Sequence, residues 1–229
     1  MGHDYATGRW PMMRSFVAAL MMLLVIGLPV PGLLFGQEGL IKLPPPRLDG
    51  SVSVEKALLE RRSVRSYKEE PLSLAEVSQL LWAAQGITEP KRGLRTAPSA
   101  RATYLLEVYV VAAKVDGLPP GLYKYRPRGH ELATVSTGDI RADLFNAVGQ
   151  PPVRNAPAAL LVAGLTGKAT KPEWMYLEAG HAAQNVYLQA VSLKLGTVVM
   201  AGFKPDAVKK GLRLPEGELP IYVMPVGRK

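Results

Sequence analysis

Hydrophobic and polar positions follow two different periods along this chain, and each change of period marks an element. Ser51 or Ser53 is placed to cap a helix that carries Val54, Leu58 and Leu59. Ser73-Leu-Ala-Glu76 is a capping box that opens a second amphipathic helix, and Gly86 stops that helix after Gln85. Tyr104 to Ala113 (YLLEVYVVAA) is rich in β-branched and aromatic residues and reads as a strand. Gly121–Tyr125 and Glu131–Ser136 read as a hairpin beyond it, and Asp139–Val148 as a short helix. Ala158–Gly164 is a buried strand. Tyr176, Ala179, Ala183, Val186, Tyr187, Ala190 and Leu193 recur at the helical period, predicting a long helix from Glu173 to Lys194 whose small residues allow close packing. A strand at Thr197–Met200, a short helix from Pro205 and a last strand at Ile221–Val226 complete the order. The sequence of elements is mixed α+β, with no internal repeat and no regular βαβ alternation.

One segment fits neither period. Phe16–Phe35 is apolar throughout, with Arg9 and Arg14 before it and Gln37 and Glu38 after it. Its 20 residues match the roughly 20 that a bilayer-spanning helix needs. Residues 1–36 therefore read as a signal peptide or an N-terminal membrane anchor. Both versions stay open, because Pro29 and Pro31 would break a spanning helix while the small-x-small cleavage pattern is missing and only Gly36 is tolerable there. The preceding arginines place the N-terminus in the cytoplasm and the remainder across the membrane, so the protein is expected to be exported, tethered through residues 16–35 if the segment is retained. Gln37–Gly50, centred on Pro44-Pro45-Pro46, has the composition of a semi-rigid linker, which puts the folded domain at residues 51–229.

Composition narrows the chemistry. With 229 residues, 48% of them apolar, the chain can fill one substantial core. The absence of cysteine excludes disulfides, thiolate metal sites, iron–sulfur clusters and a cysteine nucleophile. The net charge of +9 is spread along the chain without a nucleic-acid-binding motif, so no nucleic-acid partner is expected. His3, His130 and His181 are too scattered for a metal site, and His181, on the small-residue helix, is expected to be a hydrogen-bonded structural group. "GLTGKAT" at Gly164–Thr170 has two residues between its glycines instead of four, and Ala169 after the lysine, so it is not a phosphate-binding P-loop. Ser63 and Ser99 lack the glycine context of a hydrolase nucleophile.

Three stretches carry candidate chemistry. In "ERRSVRSYKEEP", Glu60–Pro71, the residues Arg61, Arg62 and Arg65 surround Ser63. Guanidinium forks with a hydroxyl donor are the side chains that grip a phosphate best; the plain alternative is a basic helix end favoured by the helix dipole. "RTAPSA", Arg95–Ala100, would let backbone amides approach a flat ligand, or is an ordinary loop. "VMAGF", Val199–Phe203, ends a strand on two small residues whose N–H groups can point out of the sheet, or is a simple turn.

Taken in this order, these stretches resemble the FMN-dependent nitroreductase family over Ser51–Lys229. The family's Arg-x-Ser-x-Arg/Lys-x-Phe/Tyr signature is matched by Arg61 to Tyr67. "GLPPGLYKYRPRGHEL", "EAGHAAQNVYLQA" and "KLGTVVMAGF" look like the branch containing the SagB-type thiazole/oxazole dehydrogenases. The resemblance implies an α+β nitroreductase-like fold, with a central, mostly antiparallel sheet flanked by helices, and FMN as cofactor. It implies that Arg61, Arg62, Ser63 and Arg65 hold the FMN phosphate, ribityl and pyrimidine edge, and that Pro98 and Ser99 reach the flavin from the partner subunit of a homodimer. It further implies that amides at Ala201 and Gly202 approach the flavin N5 and O4, and that Arg228 adds a phosphate contact. No side chain need act as catalytic acid or base. Electrons would pass from a donor (NAD(P)H, a quinol or a protein) through flavin N5 to a small organic acceptor such as a nitroaromatic or quinone. Two alternatives accompany this reading: a flavin-binding envelope protein without turnover, and a peptide azoline dehydrogenase. Against the azoline alternative, "GKATKPEWMY" lacks that branch's Lys-Tyr pair. Arg101 and Leu105 also stand where the branch has glycine and proline.

Overall fold

The structure, a computed structural model, describes residues 39–229; the apolar segment 16–35 and residues 37 and 38 lie outside the described residues. The chain forms β1 (Leu40–Lys42), α1 (Val54–Glu60), β2 (Leu72–Ser73), α2 (Leu74–Gln85), β3 (Ile87–Glu89) and β4 (Leu94–Arg95). Next come β5 (Leu106–Ala112), β6 (Val115–Asp116), β7 (Gly121–Arg126), β8 (Glu131–Thr137), α3 (Arg141–Val148) and α4 (Pro151–Asn155). The last elements are β9 (Ala158–Leu165), α5 (Pro172–Ser192), β10 (Leu195–Thr197), α6 (Pro205–Leu212) and β11 (Glu218–Arg228).

Seven strands form one antiparallel sheet in the order β1-β8-β7-β5-β9-β11-β10, flanked by helices, as the α+β expectation required. Side chains alternate across a strand, so β5 feeds two cores. Val108 and Val110 join Leu160, Leu80, Leu81, Ala179, Ala183 and Val186 on the face covered by α2 and α5. Tyr109 and Val111 join Leu161, Leu144, Val208 and Leu212 on the face covered by α3 and α6. A strand buried on both sides is apolar without interruption, which explains the VYVVA run.

The capping box forms: Glu76 N donates to Ser73 Oγ at 3.2 Å, and Ser73 N donates to Glu76 Oε2 at 2.8 Å. Each bond satisfies an amide that the helix start would otherwise leave bare.

Three expectations change. The stretch read as a linker is partly built into the domain: β1 is an edge strand on β8, Leu43 is buried, and Gln79 bonds both the amide and the carbonyl of Arg47. Proline removes donors but leaves carbonyls, and Pro44 O is taken by Ser78 Oγ at 2.6 Å and by His130 Nε2 at 2.9 Å. The strand predicted at Thr197–Met200 stops at Thr197, and only Met200 returns to the sheet, in a bridge to Val223. On α5 the buried side includes Met175 and Glu178, whereas Tyr176 is 50% exposed, a shift of one position that periodicity could not resolve. Helix α1 forms as expected after Ser53, with Leu58 and Leu59 exposed.

Candidate functional site

The basic stretch after α1 is laid against the sheet edge by two glycines. Gly196 of β10 pairs with Gly227 of β11, and a Cβ on either would meet Val64 at 2.6 Å or Tyr67 at 2.7 Å. With no side chains there, the backbone of Ser63 bridges Thr197, Val64 N donates to Thr197 O at 2.9 Å, and Lys68 N donates to Arg228 O at 3.0 Å. Tyr67 Oη then donates to Val64 O and Pro225 O, at 2.7 and 3.0 Å. Burial pushes the Tyr67 hydroxyl well above its ordinary pKa, with Tyr187 adding to the shift and Arg65 opposing it, so it remains a donor.

Tyr187 of α5 joins this stretch to the strand end. Its hydroxyl lies 3.2 Å from Ser63 Oγ and accepts from Val199 N at 2.8 Å, while the Arg61 guanidinium sits 5.0 Å from its ring centroid. Two of the three candidate stretches therefore meet at one tyrosine. The sequence placed Tyr187 on the helix period, where it read as core.

Beyond Val199 the chain leaves regular structure. Met200 exchanges two backbone bonds with Val223, but the exposed Ala201 and Gly202 have no amide hydrogen-bond partner among the described residues. A Cβ at Gly202 would touch only Gln150 Nε2, at 3.9 Å, so this chain's own packing does not demand glycine there. The result is a pair of free donors on a stretch of backbone that a flat molecule can approach. In β10, Thr197 Oγ1 is buried without a hydrogen-bond partner among the described residues.

The other predicted residues are placed differently. Arg62 Nη1 turns back onto α1, donating to Leu59 O at 2.9 Å and Arg61 O at 2.8 Å, where it caps the helix C-terminus. Arg228 forms a two-pronged pair with Glu76, at 2.9 and 3.1 Å, and lies 3.5 Å from Glu70. Arg65 is exposed. His181 is exposed on α5 instead of being a hydrogen-bonded structural group. That part is taken by His130, whose Nε2 lies 2.8 Å from Ser78 Oγ and whose Nδ1 lies 2.9 Å from Tyr125 Oη. Among the described residues no cluster of carboxylates and histidines is arranged for a metal ion.

Pro98 and Ser99 sit elsewhere on the chain. Ser99 Oγ donates to Glu178 Oε2 at 2.6 Å and accepts from Tyr104 N at 2.8 Å, and the same Glu178 oxygen accepts from Leu105 N at 3.1 Å. Glu178, 2% exposed, thus ties both ends of this loop to α5. Nine residues separate Glu178 from Tyr187, two and a half helical turns, which puts them on opposite sides of α5 and about 13 Å apart along its axis. One copy of the chain does not bring the Ser99 loop to the Ser63 edge. A cleft of ≈ 350 Å³ between α1, α2 and α5, lined by Trp82, Asn185 and Leu188 among others, contains none of the predicted site residues.

A nitroreductase family model matches residues 58–228. The chain belongs to the nitroreductase family. Its relatives include a protein of Methanocaldococcus jannaschii named as a nitroreductase, 40% identical over 185 residues, covering 78% of this chain and 92% of the relative. A Ralstonia eutropha structure titled as a nitroreductase superimposes with a TM-score of 0.73 at 31% identity, covering 84% of this chain and 91% of the other. A partial match links residues of this nitroreductase-family chain to the trifolitoxin operon protein TfxC of Rhizobium leguminosarum, 29% identical over 121 residues, which is 46% of this chain and 34% of TfxC.

Proposed function

We propose that this nitroreductase-family oxidoreductase uses FMN, works as a homodimer, and delivers electrons to a small organic acceptor on the far side of a membrane, exported or tethered through residues 16–35. The observation that carries the reading is the junction of Arg61, Ser63, Tyr187 and the unpartnered amides of Ala201 and Gly202 on one sheet edge. FMN would supply the two-electron redox chemistry that no side chain of this cysteine-free protein offers.

The residues present fit that cofactor. Arg61 and Arg65 offer guanidinium donors and Ser63 a hydroxyl for a phosphate, without competing carboxylate partners among the described residues. The bare amides of Ala201 and Gly202 are preset donors for the polar edge of a ring and need no reorganisation when charge develops there. Arg62 and Arg228 keep their protein partners in this reading, where their charge still adds to a positive environment around the phosphate.

A homodimer is supported by what a single copy leaves uncovered. Val54, Leu58 and Leu59 of α1 are exposed, the last at 73%. An exposed apolar helix face of this kind is a typical subunit contact. The separation of Ser99 from Ser63 within one chain fits the same arrangement, with the Ser99 loop serving the partner's site. The donor would be a quinol, a protein or NAD(P)H.

A second reading, peptide azoline dehydrogenation, draws on the partial TfxC match. It is disfavoured by the missing Lys-Tyr pair, since Lys171 instead packs its ammonium 5.8 Å from the Trp174 ring. Steady-state assays on the purified flavin-loaded full-length chain, with para-nitrobenzamide and a quinone as acceptors, test the proposal. Turnover of either supports it. Reversible FMN binding with no turnover of any acceptor would replace it by a flavin-binding protein without catalysis.

A further inference from the structure

The loop from Pro98 to Leu105 is unusual in its backbone. Arg101, Ala102 and Tyr104 all have positive φ, at 56°, 53° and 49°, although none is glycine. The left-handed region is costly for any residue with a Cβ, and such conformations persist where the surroundings over-determine them. They do so here. Ser99 and Leu105 are tied to the buried Glu178, Ala102 N donates to Ser99 O at 3.0 Å, and Thr103 Oγ1 donates to Ala100 O at 2.7 Å. Tyr104 has the Arg95 guanidinium 4.6 Å from its ring centroid and Lys168 Nζ 3.2 Å from its carbonyl.

Within this framework the two nearby arginines have different fates. Arg95 is drawn inward, donating to Gln85 Oε1 at 2.8 Å, and burial lowers its pKa against the opposing pull of Glu178 and Glu107. Arg101 is exposed and has no ion pair or hydrogen bond among the described residues. Glycine would hold this backbone without strain, yet the position carries the longest cationic side chain on a rigid mount. A strained position filled by a free cation is better explained by what the cation meets than by the stability of the loop.

We propose that Arg101 reads an anionic group on the small-molecule substrate, so that carboxylate-bearing acceptors are selected over their neutral counterparts. The inference rests on the reading above, in which this loop faces the flavin site of the partner subunit. A guanidinium presents a planar fork that pairs two-pronged with a carboxylate, which supplies orientation as well as affinity. The same chemistry could address the phosphate of FMN, and the experiment separates the two sources.

Full-length protein and its Arg101→Gly, Arg101→Gln and Arg101→Lys variants are compared in three measurements: thermal midpoint, FMN affinity by fluorescence titration, and calorimetric binding of benzoate against benzamide. A fourth measures kcat/KM for para-nitrobenzoate against para-nitrobenzamide. The wild type is expected to prefer the carboxylate by about tenfold, the gain of one charge-assisted pair. Glycine and glutamine are expected to erase that preference and lysine, a point charge without the fork, to retain only part of it, with FMN affinity unchanged and the glycine variant melting no lower than the wild type. A wild type without preference, or a glycine variant that keeps it, overturns the proposal. Loss of FMN affinity in the glycine and glutamine variants with the preference intact assigns Arg101 to the cofactor and also overturns it. A preference that follows Arg101 in a protein that binds no flavin leaves the anion site standing and removes the flavin reading instead.

Discussion

The Tyr187 hydroxyl sits 3.2 Å from Ser63 Oγ while it accepts the amide proton of Val199 at 2.8 Å, so one side chain sets the spacing between the basic stretch and the strand end. Tyr187→Phe removes both bonds and leaves the Val199 amide unpaired. The expected cost is about 1–3 kcal/mol of stability, read by denaturant unfolding, together with a several-fold weaker FMN affinity. A variant that loses stability but binds FMN as the wild type does would detach this hub from the cofactor site.

Two glycines are expected to respond in opposite ways to alanine. At Gly227 a Cβ would meet Tyr67 Cβ and Cγ at 2.7 and 2.8 Å, atoms next to the backbone that cannot swing aside. Gly227→Ala is expected to lose about 1–3 kcal/mol through overpacking and to displace Ser63 with it. At Gly202 the nearest atom is 3.9 Å away, so Gly202→Ala should keep the wild-type melting temperature and lose only FMN affinity. Equal behaviour of the two variants in melting and titration would contradict this assignment of the sites.

What the sequence made legible follows from the range of the interactions involved. The α2 capping box and the β5 run depend on neighbours within a few residues and were readable. Arg61 and Ser63 were recognisable as a signature, but that Arg62 folds back on Leu59 and Arg228 is taken by Glu76, 152 residues away, depends on where distant parts of the chain come to lie. The composition of Gln37–Gly50 reads as a semi-rigid linker, yet Leu40–Lys42 pairs as an edge strand and the carbonyl of Pro44 meets His130 and Ser78 across the domain, contacts that composition does not encode. Glu178 leaves one local trace, a carboxylate on an otherwise small-residue helix face, and its partners Ser99 and Leu105 lie more than 70 residues away.

The loop clamp has its own test. Glu178→Ala leaves Ser99 Oγ and Leu105 N without their acceptor in the interior. The loss expected is about 2 kcal/mol or more, since each buried donor left unpaired costs about 1–3 kcal/mol. Denaturant unfolding measures it, and limited proteolysis should show new cleavage between Pro98 and Leu105. Unchanged stability would mean that the loop holds itself.

His130 gives the domain a pH dependence. Burial lowers its pKa below the ordinary value of 6.5, only partly offset by the Pro44 carbonyl. The unfolded chain therefore binds this proton more tightly than the folded one, so its contribution to stability is complete above pH 6.5 and declines as pH falls below that value. Melting temperatures recorded between neutral and mildly acid pH should fall, and His130→Gln should flatten that part of the profile. A wild-type profile with no such fall would refute the assignment.

The central claim is that Arg61 and Ser63 hold an FMN phosphate while the free amides of Ala201 and Gly202 meet the flavin ring. The most direct measurement is a fluorescence titration of FMN, with riboflavin as the phosphate-free control, into the full-length protein and its Arg61→Ala and Ser63→Ala variants. The predicted result is tight FMN binding by the wild type, at least tenfold weaker binding by the Arg61 variant from the loss of about 1.5–3 kcal/mol per charged hydrogen bond, and little change for riboflavin. A wild type that binds no FMN, or variants that bind it with undiminished affinity, would contradict the account.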